Sequence, residues 1–280
     1  MTGPVANALT VDVEEWFHIC GVGGPLAARH WDTLPSRVVG TTRMLLEDFD
    51  RAGARATFFV LGWVAERYPH LVAEIQSAGH DVGTHGFSHT RVYELEPDAF
   101  AADLRKSLTS IAAAGAAGVT AFRAPEWSIN DRSIWALDVL AREGISVDAS
   151  MAPVRLVGRE DYPRAPYLRR TSAGPIAEYP PLVADRFGYA MPMGWGWGLR
   201  MSSPRRVVRT IETANRDGRA AVLMVHPWEI DPDPPRVRLR TALWFSHYFR
   251  LDGFRRRLSE VLRTTQLGAL SDLPAPQVLP

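Results

Sequence analysis

The chain has 280 residues, enough for one large domain with a full hydrophobic core or two small ones, and its 46% apolar content sets it apart from disordered sequences. A net charge of +1 points to neither a nucleic-acid partner nor a membrane surface. The single cysteine, Cys20, excludes an internal disulfide and a thiolate metal cluster. No apolar run approaches the ~20 residues of a membrane span, and no basic segment followed by a long apolar one opens the chain, so a cytoplasmic location is expected.

In chain order, residues 5–13 read as a buried strand, and residues 36–52 carry helical spacing with Ser36 as cap and Gly53 as stop. "ARATFFVLG" is a second strand. "ERYPHLVAEIQSAGH" is helical up to Gly79, with Pro69 opening its second part, and "DVGTH" is a third strand. "EPDAFAADLRKSLTSIAAAG" is an amphipathic helix, and "VTAFRAPEW" a fourth strand. "NDRSIWALDVLAREG" is a helix capped by Asn130 or Asp131, followed by "ISVDAS" and "PIAEYPP" as further strands. "SPRRVVRTIETANRDG" is a helix with proline in its first turn, "RAAVLMVHPWEI" a seventh strand, and "DGFRRRLSEVLRTT" a last helix, with "LGALSDL" as a candidate final strand.

Short strands that are apolar on both faces and separated by helices predict parallel pairing with helical crossovers. The count predicts a single α/β domain over 1–280, a distorted (β/α) barrel of about seven parallel strands, with an open doubly wound sheet as the runner-up. Two long irregular segments, 152–174 and 184–203, interrupt the alternation. Loops of that length more often serve function than not.

The polar residues fall at strand ends. Asp12 and Glu14 close the first strand, His85 and His89 follow the third, and Arg123, Asp148 and His226 end the fourth, fifth and seventh. In a parallel barrel those ends open on one face, where barrel enzymes carry their sites. His85 and His89 are four apart, so one helical turn would put both imidazoles on one side, as metal ligands require. His80, after a helix-ending glycine, reads as a side chain bonded to nearby backbone. Two imidazoles leave room for a carboxylate and open positions, the arrangement of a catalytic metal. On a strand Asp12 and Glu14 point to one side and Glu15 to the other, offering one ligand and one free base.

At this point the residues resemble a known family. "TVDVEEW", "HDVGTHGFSH", "FRAPEW", "VDAS" and "VLMVHPWEIDPDPPR" stand in the order of the five motifs of polysaccharide deacetylases, the NodB-homology group of carbohydrate esterase family four. The match spans residues 8–236, leaving 237–280 as a C-terminal extension. "VDVEEWFH", "HPWEIDP" and His247–Tyr248 further resemble a subgroup associated with exosortase-type exopolysaccharide clusters. The resemblance implies a distorted (β/α) barrel and a hydrolase of carbon–nitrogen amide bonds. It implies a divalent metal, zinc first, with cobalt, nickel, manganese and iron as alternatives. Carried over by motif, Asp12 matches the general base and His85 and His89 the metal histidines. Arg123 matches the arginine that orients the base, Asp148 the acid that supports it, and His226 the general acid.

Two positions depart from the family pattern. Val13 stands where the family places its metal-binding aspartate, so Glu14 is the expected ligand and Asp12 the fallback. Gly86 stands where many members carry Ser or Thr, as it does in relatives that hydrolyse cyclic amides. Pro125 and Trp127 are candidate substrate contacts. Trp195 and Trp197, in "MPMGWGWGLRMSS", either stack on sugar rings or close the barrel end as core.

Three functions are open at this level. The first is a metal-dependent deacetylase of an N-acetylated polysaccharide or its oligosaccharide precursor, in exopolysaccharide biosynthesis. The second is a cyclic amide, imide or ureide hydrolase, which would need a small closed pocket. The third is an inactive carbohydrate-binding barrel. The expected partner is an N-acetylated glycan or a small amide and not a nucleic acid; the sequence leaves the oligomeric state open.

Overall fold

The computed structural model describes residues 6–186 and 188–278. Its strands are β1 (Ala8–Val13), β2 (Thr57–Val60), β3 (Asp81–Thr84), β4 (Ala121–Phe122), β5 (Val147–Asp148), β6 (Tyr167–Thr171), β7 (Gly174–Glu178), β8 (Val183–Arg186), β9 (Tyr189–Pro192), β10 (Val222–Val225) and β11 (Gln277–Val278). Its α-helices are α1 (Val38–Ala52), α2 (Gly62–Arg67), α3 (Pro69–Ser77), α4 (Pro97–Ala113), α5 (Ala136–Arg142), α6 (Gly196–Met201), α7 (Pro204–Arg216), α8 (Thr241–Tyr248) and α9 (Phe254–Thr264).

One nine-stranded sheet has the order β10-β1-β2-β3-β4-β5-β7-β6-β11. From β10 to β7 every pairing is parallel, and the reversal comes at the β6–β7 hairpin. The barrel is therefore distorted, and irregular backbone completes it. Leu182 N–H donates to the Val222 carbonyl (3.0 Å), and Met224 N–H donates to the Gly194 carbonyl (2.6 Å), along the side of β10 that β1 leaves free.

All six residues of β1 are buried, as a strand covered on both faces must be. Leu9, Val11 and Val13 pack into the large core formed with the outer helices, including Leu45 and Phe49 of α1 and Leu258 of α9. Ala8 faces the other way, into a smaller cluster with Phe59 and Val222. Asp12 and Glu14 share the parity of Ala8.

Several elements differ from the sequence expectation. The residue at the start of α1 is Arg37, not Ser36, and its N-terminus is capped from a distance: the Glu15 carboxylate accepts the Arg37 N–H (3.0 Å) and the Ser36 hydroxyl. A carboxylate suits the positive end of a helix dipole. Helix α5 starts at Ala136, because the Asn130 side chain accepts the Arg132 N–H (3.0 Å) and makes a turn there. "LGALSDL" supplies one bridge, Ala8 to Gly268, and then a 3-10 turn at Leu270–Asp272. The segment 184–203 is ordered as most of the β8–β9 hairpin and α6, and the segment 152–174 contains β6.

Candidate active site

Register brings the strand ends together. β10 and β3 lie on either side of the β1–β2 pair, so His226, Glu14 and His85 reach the same rim. β2 contributes no ionisable group there, which leaves the space between Glu14 and His85 open to their own side chains.

Glu14, His85 and His89 are buried, and their ligand atoms all lie within 4.8 Å of one another. Glu14 Oε2 stands 3.7 Å from His85 Nε2 and closer to His89 Nε2, yet accepts no hydrogen bond in well-formed geometry. Each group has its other polar atom occupied. His85 Nδ1–H donates to the Arg123 carbonyl (2.8 Å), which frees Nε2 as a lone pair. Glu14 Oε1 accepts the Trp228 indole N–H (3.1 Å). His89 Nδ1 faces Cys20 Sγ (3.4 Å), while the Cys20 thiol donates to the His89 carbonyl (3.2 Å). Outer partners of this kind set tautomer and orientation at metal sites. Burial opposes ionisation of Glu14, but His89 and His85 beside it hold the carboxyl well below the usual carboxylate range. An orphaned carboxylate oxygen with two converging imidazole nitrogens fits a divalent cation.

The two histidines do not meet through a helical turn. His85 directly follows β3, Gly86 takes φ +74°, and His89 takes φ +51°. This tight reversal is held by Asp103 of α4, whose carboxylate accepts the N–H groups of Phe87 (2.7 Å) and Ser88 (3.1 Å). The left-handed Gly86 is a conformation that a Ser or Thr side chain would strain.

Arg123 is fully buried over the Trp127 ring (4.3 Å) and donates to Thr10 Oγ1 (3.2 Å). Its Nη1 lies 3.5 Å from Asp12 Oδ1. Behind it stand Asp148 and Glu178, paired in register across β5 and β7. Glu178 had no signal in the sequence beyond strand alternation. Burial and the Asp148 carboxyl hold Glu178 well above the usual carboxylate range. Burial lowers the Arg123 pKa, and the neighbouring Asp12, Asp148 and Glu178 carboxyls oppose that effect.

His226 Nε2 lies 3.7 Å from Glu14 Oε1, and its Nδ1 pairs with Glu229 (3.1 Å). Burial disfavours the imidazolium, but the Glu229 carboxylate outweighs it and raises His226 above its ordinary pKa. Glu229 also accepts from buried Arg200 (2.8 Å), which donates in turn to the Phe249 carbonyl (2.6 Å) just past α8. His247 stacks on Trp228, and Trp228 on His226, with ring centroids 4.2 Å and 4.9 Å apart. The "HPWE" run therefore orients both sides of the site: Trp228 holds Glu14, and Glu229 holds His226.

The glycines of "GWGWG" have a corresponding reason. A Cβ on Gly196 would lie 2.0 Å from both Glu229 carboxylate oxygens. Of the candidate substrate contacts, Trp127 and Trp195 line the cavity but are largely buried against each other (centroids 5.1 Å) in one apolar cluster. Trp197 is partly exposed on the cavity wall. Pro125 is buried and does not line it. His80 accepts the Ala56 N–H (3.2 Å) at the start of the β2 region, away from the rim. The cavity above the site is open and holds about 1260 Å³.

Cys20 gives a direct test of the outer shell. Cys20→Ala removes the partner of His89 Nδ1 and should weaken divalent-metal binding about tenfold, with Cys20→Ser recovering part of it. A metal titration followed by calorimetry checks this; equal affinity in all three proteins would rule the contact out as a support.

The mostly parallel curled sheet thus gathers Glu14, His85 and His89 with Asp12 and His226 at its strand ends, the edge on which barrel folds carry their sites. Residues 23–145 match the polysaccharide deacetylase family and residues 149–274 match a domain of unknown function, DUF3473. The first half of the chain thus carries a polysaccharide deacetylase domain, of the NodB-homology group of carbohydrate esterase family four, and the DUF3473 match follows it. Asp12 and Glu14 precede both matched ranges, and His226 falls in the second.

A peptidoglycan-N-acetylglucosamine deacetylase of Bacillus cereus is 24% identical over 119 residues, covering 38% of this chain and 43% of that one. Chitin deacetylase 1 of Saccharomyces cerevisiae is 35% identical over 78 residues, 28% of this chain and 26% of that one. The chain thus spans less than half the length of these curated relatives. Among solved structures, a Mycobacterium smegmatis protein assigned to the polysaccharide deacetylases superposes with a TM-score of 0.60 at 21% identity, covering 100% of this chain and 95% of the other. A Bacillus anthracis pseudoenzyme of family CE4 gives 0.52 at 14% identity, covering 100% and 68%. At such identities the likeness shows the fold.

Proposed function

We propose that this chain is a metal-dependent hydrolase that removes N-acetyl groups from a polysaccharide or its oligosaccharide precursor. One observation carries the reading: the Glu14–His85–His89 convergence lies beside Asp12 and beneath His226 Nε2 at the floor of a large open cavity. A divalent cation held by those three residues, zinc first for its mixed nitrogen and oxygen donors, would supply a Lewis acid for the acyl oxygen.

The chain's own groups do the proton work. Asp12 accepts a proton from water as the water oxygen bonds to the acetyl carbon. Arg123, 3.5 Å from Asp12, orients it, and Asp148 and Glu178 behind Arg123 hold the guanidinium in place. The C–N bond then breaks, and His226 donates its Nε2 proton to the leaving nitrogen, giving acetate and a free amine. Glu229 keeps that proton in place by accepting from Nδ1.

A cavity of about 1260 Å³ exceeds what a small cyclic imide or ureide needs and suits several sugar units, which favours the glycan over the small amide. The resemblance of "VDVEEWFH" and "HPWEIDP" to the exopolysaccharide-associated group supports an exopolysaccharide precursor, lipid-linked or nucleotide-linked, on the cytoplasmic side. The test is acetate release from N-acetylated oligosaccharides, measured with the protein as purified, after chelation, and after return of zinc. Release that chelation stops and zinc restores is expected. Absence of bound metal with no effect of the chelator would overturn the mechanism, and hydrolysis of an imide alone would overturn the substrate.

A further inference from the structure

The cavity mouth carries exposed apolar side chains, next to a basic strap in the chain, that the chemistry within the cavity does not use. Leu156 is 81% exposed, Trp244 43% and Phe245 38%, and these are among the few large apolar side chains so exposed. Leu156 and Phe245 line the same cavity mouth from two distant parts of the chain, the loop after β5 and helix α8. Trp244 stands next to Phe245 on α8.

The segment carrying α8 is basic. Residues 236–250 hold four arginines and no carboxylate, although the whole chain carries a net charge of only +1. Arg236, Arg238 and Arg240 are exposed on the strap leading into α8, and Arg155 precedes Leu156. The carboxylates at the same mouth are already engaged: Glu126 pairs with Arg91 and Asp131 with Arg159.

We propose that this rim is a docking surface for an anionic lipid bilayer, which sets the cavity mouth against the membrane. Tryptophan and phenylalanine beside arginines match the headgroup boundary, where rings sit below and guanidinium groups meet lipid phosphates. A glycan would suit the aromatic rings but not Leu156, which has no flat face to stack on a sugar. Among the described residues no helix is long and apolar enough to cross a membrane, so the contact is peripheral. The patch rests on exposure and charge, independent of the catalytic reading, and its test needs no turnover.

The experiment is cosedimentation of the full chain with vesicles of phosphatidylcholine alone or mixed with phosphatidylglycerol. Wild type should pellet with the anionic vesicles, less with the neutral ones, and less as salt rises. The variant L156S/W244S/F245S should bind anionic vesicles on the order of tenfold more weakly, with circular dichroism and metal content unchanged. R236Q/R238Q/R240Q should lose the preference for phosphatidylglycerol. Wild type left in the supernatant with both lipids, or binding that survives both variants, would overturn the proposal. So would vesicle binding intact in L156S/W244S/F245S with weakened binding of soluble N-acetylated oligosaccharide, which would make the rim a glycan surface.

Discussion

Asp12→Asn should keep its divalent metal and lose turnover by about 10²–10⁴-fold, whereas Glu14→Gln should lose the metal itself. The two carboxylates sit two residues apart on one face of β1 and its extension, but their partners differ. Glu14 Oε2 lies among the nitrogens of His85 and His89, and its other oxygen is fixed by Trp228. Gln at this position would keep the indole bond through its carbonyl oxygen and turn its NH₂ toward the cation, which repels it. Asp12 Oδ1 instead faces Arg123 at 3.5 Å. Asn there preserves shape but accepts no proton at neutral pH. Metal analysis beside acetate release separates the cases. An Asp12→Asn protein without metal and a Glu14→Gln protein with it would exchange the two roles and leave Glu14 as the base.

The part of this site that the sequence displays follows from one physical fact. In parallel pairing all strand C-termini share an edge, so an apolar run that ends in an ionisable residue is already a rim position. Asp12, His85, Arg123, Asp148 and His226 are legible on that ground, as is the alternation that separates Glu14 from Glu15. The strand lengths are less legible. "VTAFRAPEW" shrinks to two paired residues in β4, because beyond Arg123 the Ala124 N–H goes to the Ser150 hydroxyl (2.8 Å), and Pro125 has no N–H to offer. The His85–His89 spacing suggested a helical turn, but Asp103 and a left-handed Gly86 set another geometry with the same outcome. Least legible are the groups that orient the site across the chain. Trp228 meets Glu14 at a separation of 214 residues, and Arg200 reaches carbonyls beyond residue 245. No local periodicity records such contacts.

These orienting groups have a shared purpose that Glu14, His85 and His89 alone do not reveal. Trp228 and Glu229 are consecutive, so one short 3-10 turn at Pro227–Ile230 positions Glu14 and His226 together. Arg200 links that turn to α6 on one side and to the end of α8 on the other. The C-terminal extension therefore belongs to the site, since His247 forms the outer layer of the His226–Trp228 stack.

Glu229→Gln should be the most damaging change outside the metal ligands, and its two effects can be measured separately. Glu229 is fully buried and accepts from Arg200 Nε (2.8 Å), His226 N–H (3.0 Å) and His226 Nδ1 (3.1 Å). Neutralising it leaves the buried Arg200 guanidinium with backbone carbonyls alone, a loss of about 3–5 kcal/mol by analogy with broken buried pairs. Thermal unfolding reads that loss. The second effect concerns His226, which must be protonated to serve the leaving nitrogen. Its charged form is opposed by burial and favoured by Glu229, so the variant's imidazole titrates lower than the wild type's. Activity persists below that pKa and fades above it, so the alkaline limb of kcat/KM should move to lower pH in Glu229→Gln. Gly196→Ala provides the control: its Cβ collides with the same carboxylate and should destabilise by about 1–3 kcal/mol while the charge remains. A pH limb that moves in Gly196→Ala but stays in place in Glu229→Gln would mean that Glu229 acts through packing and not through its charge.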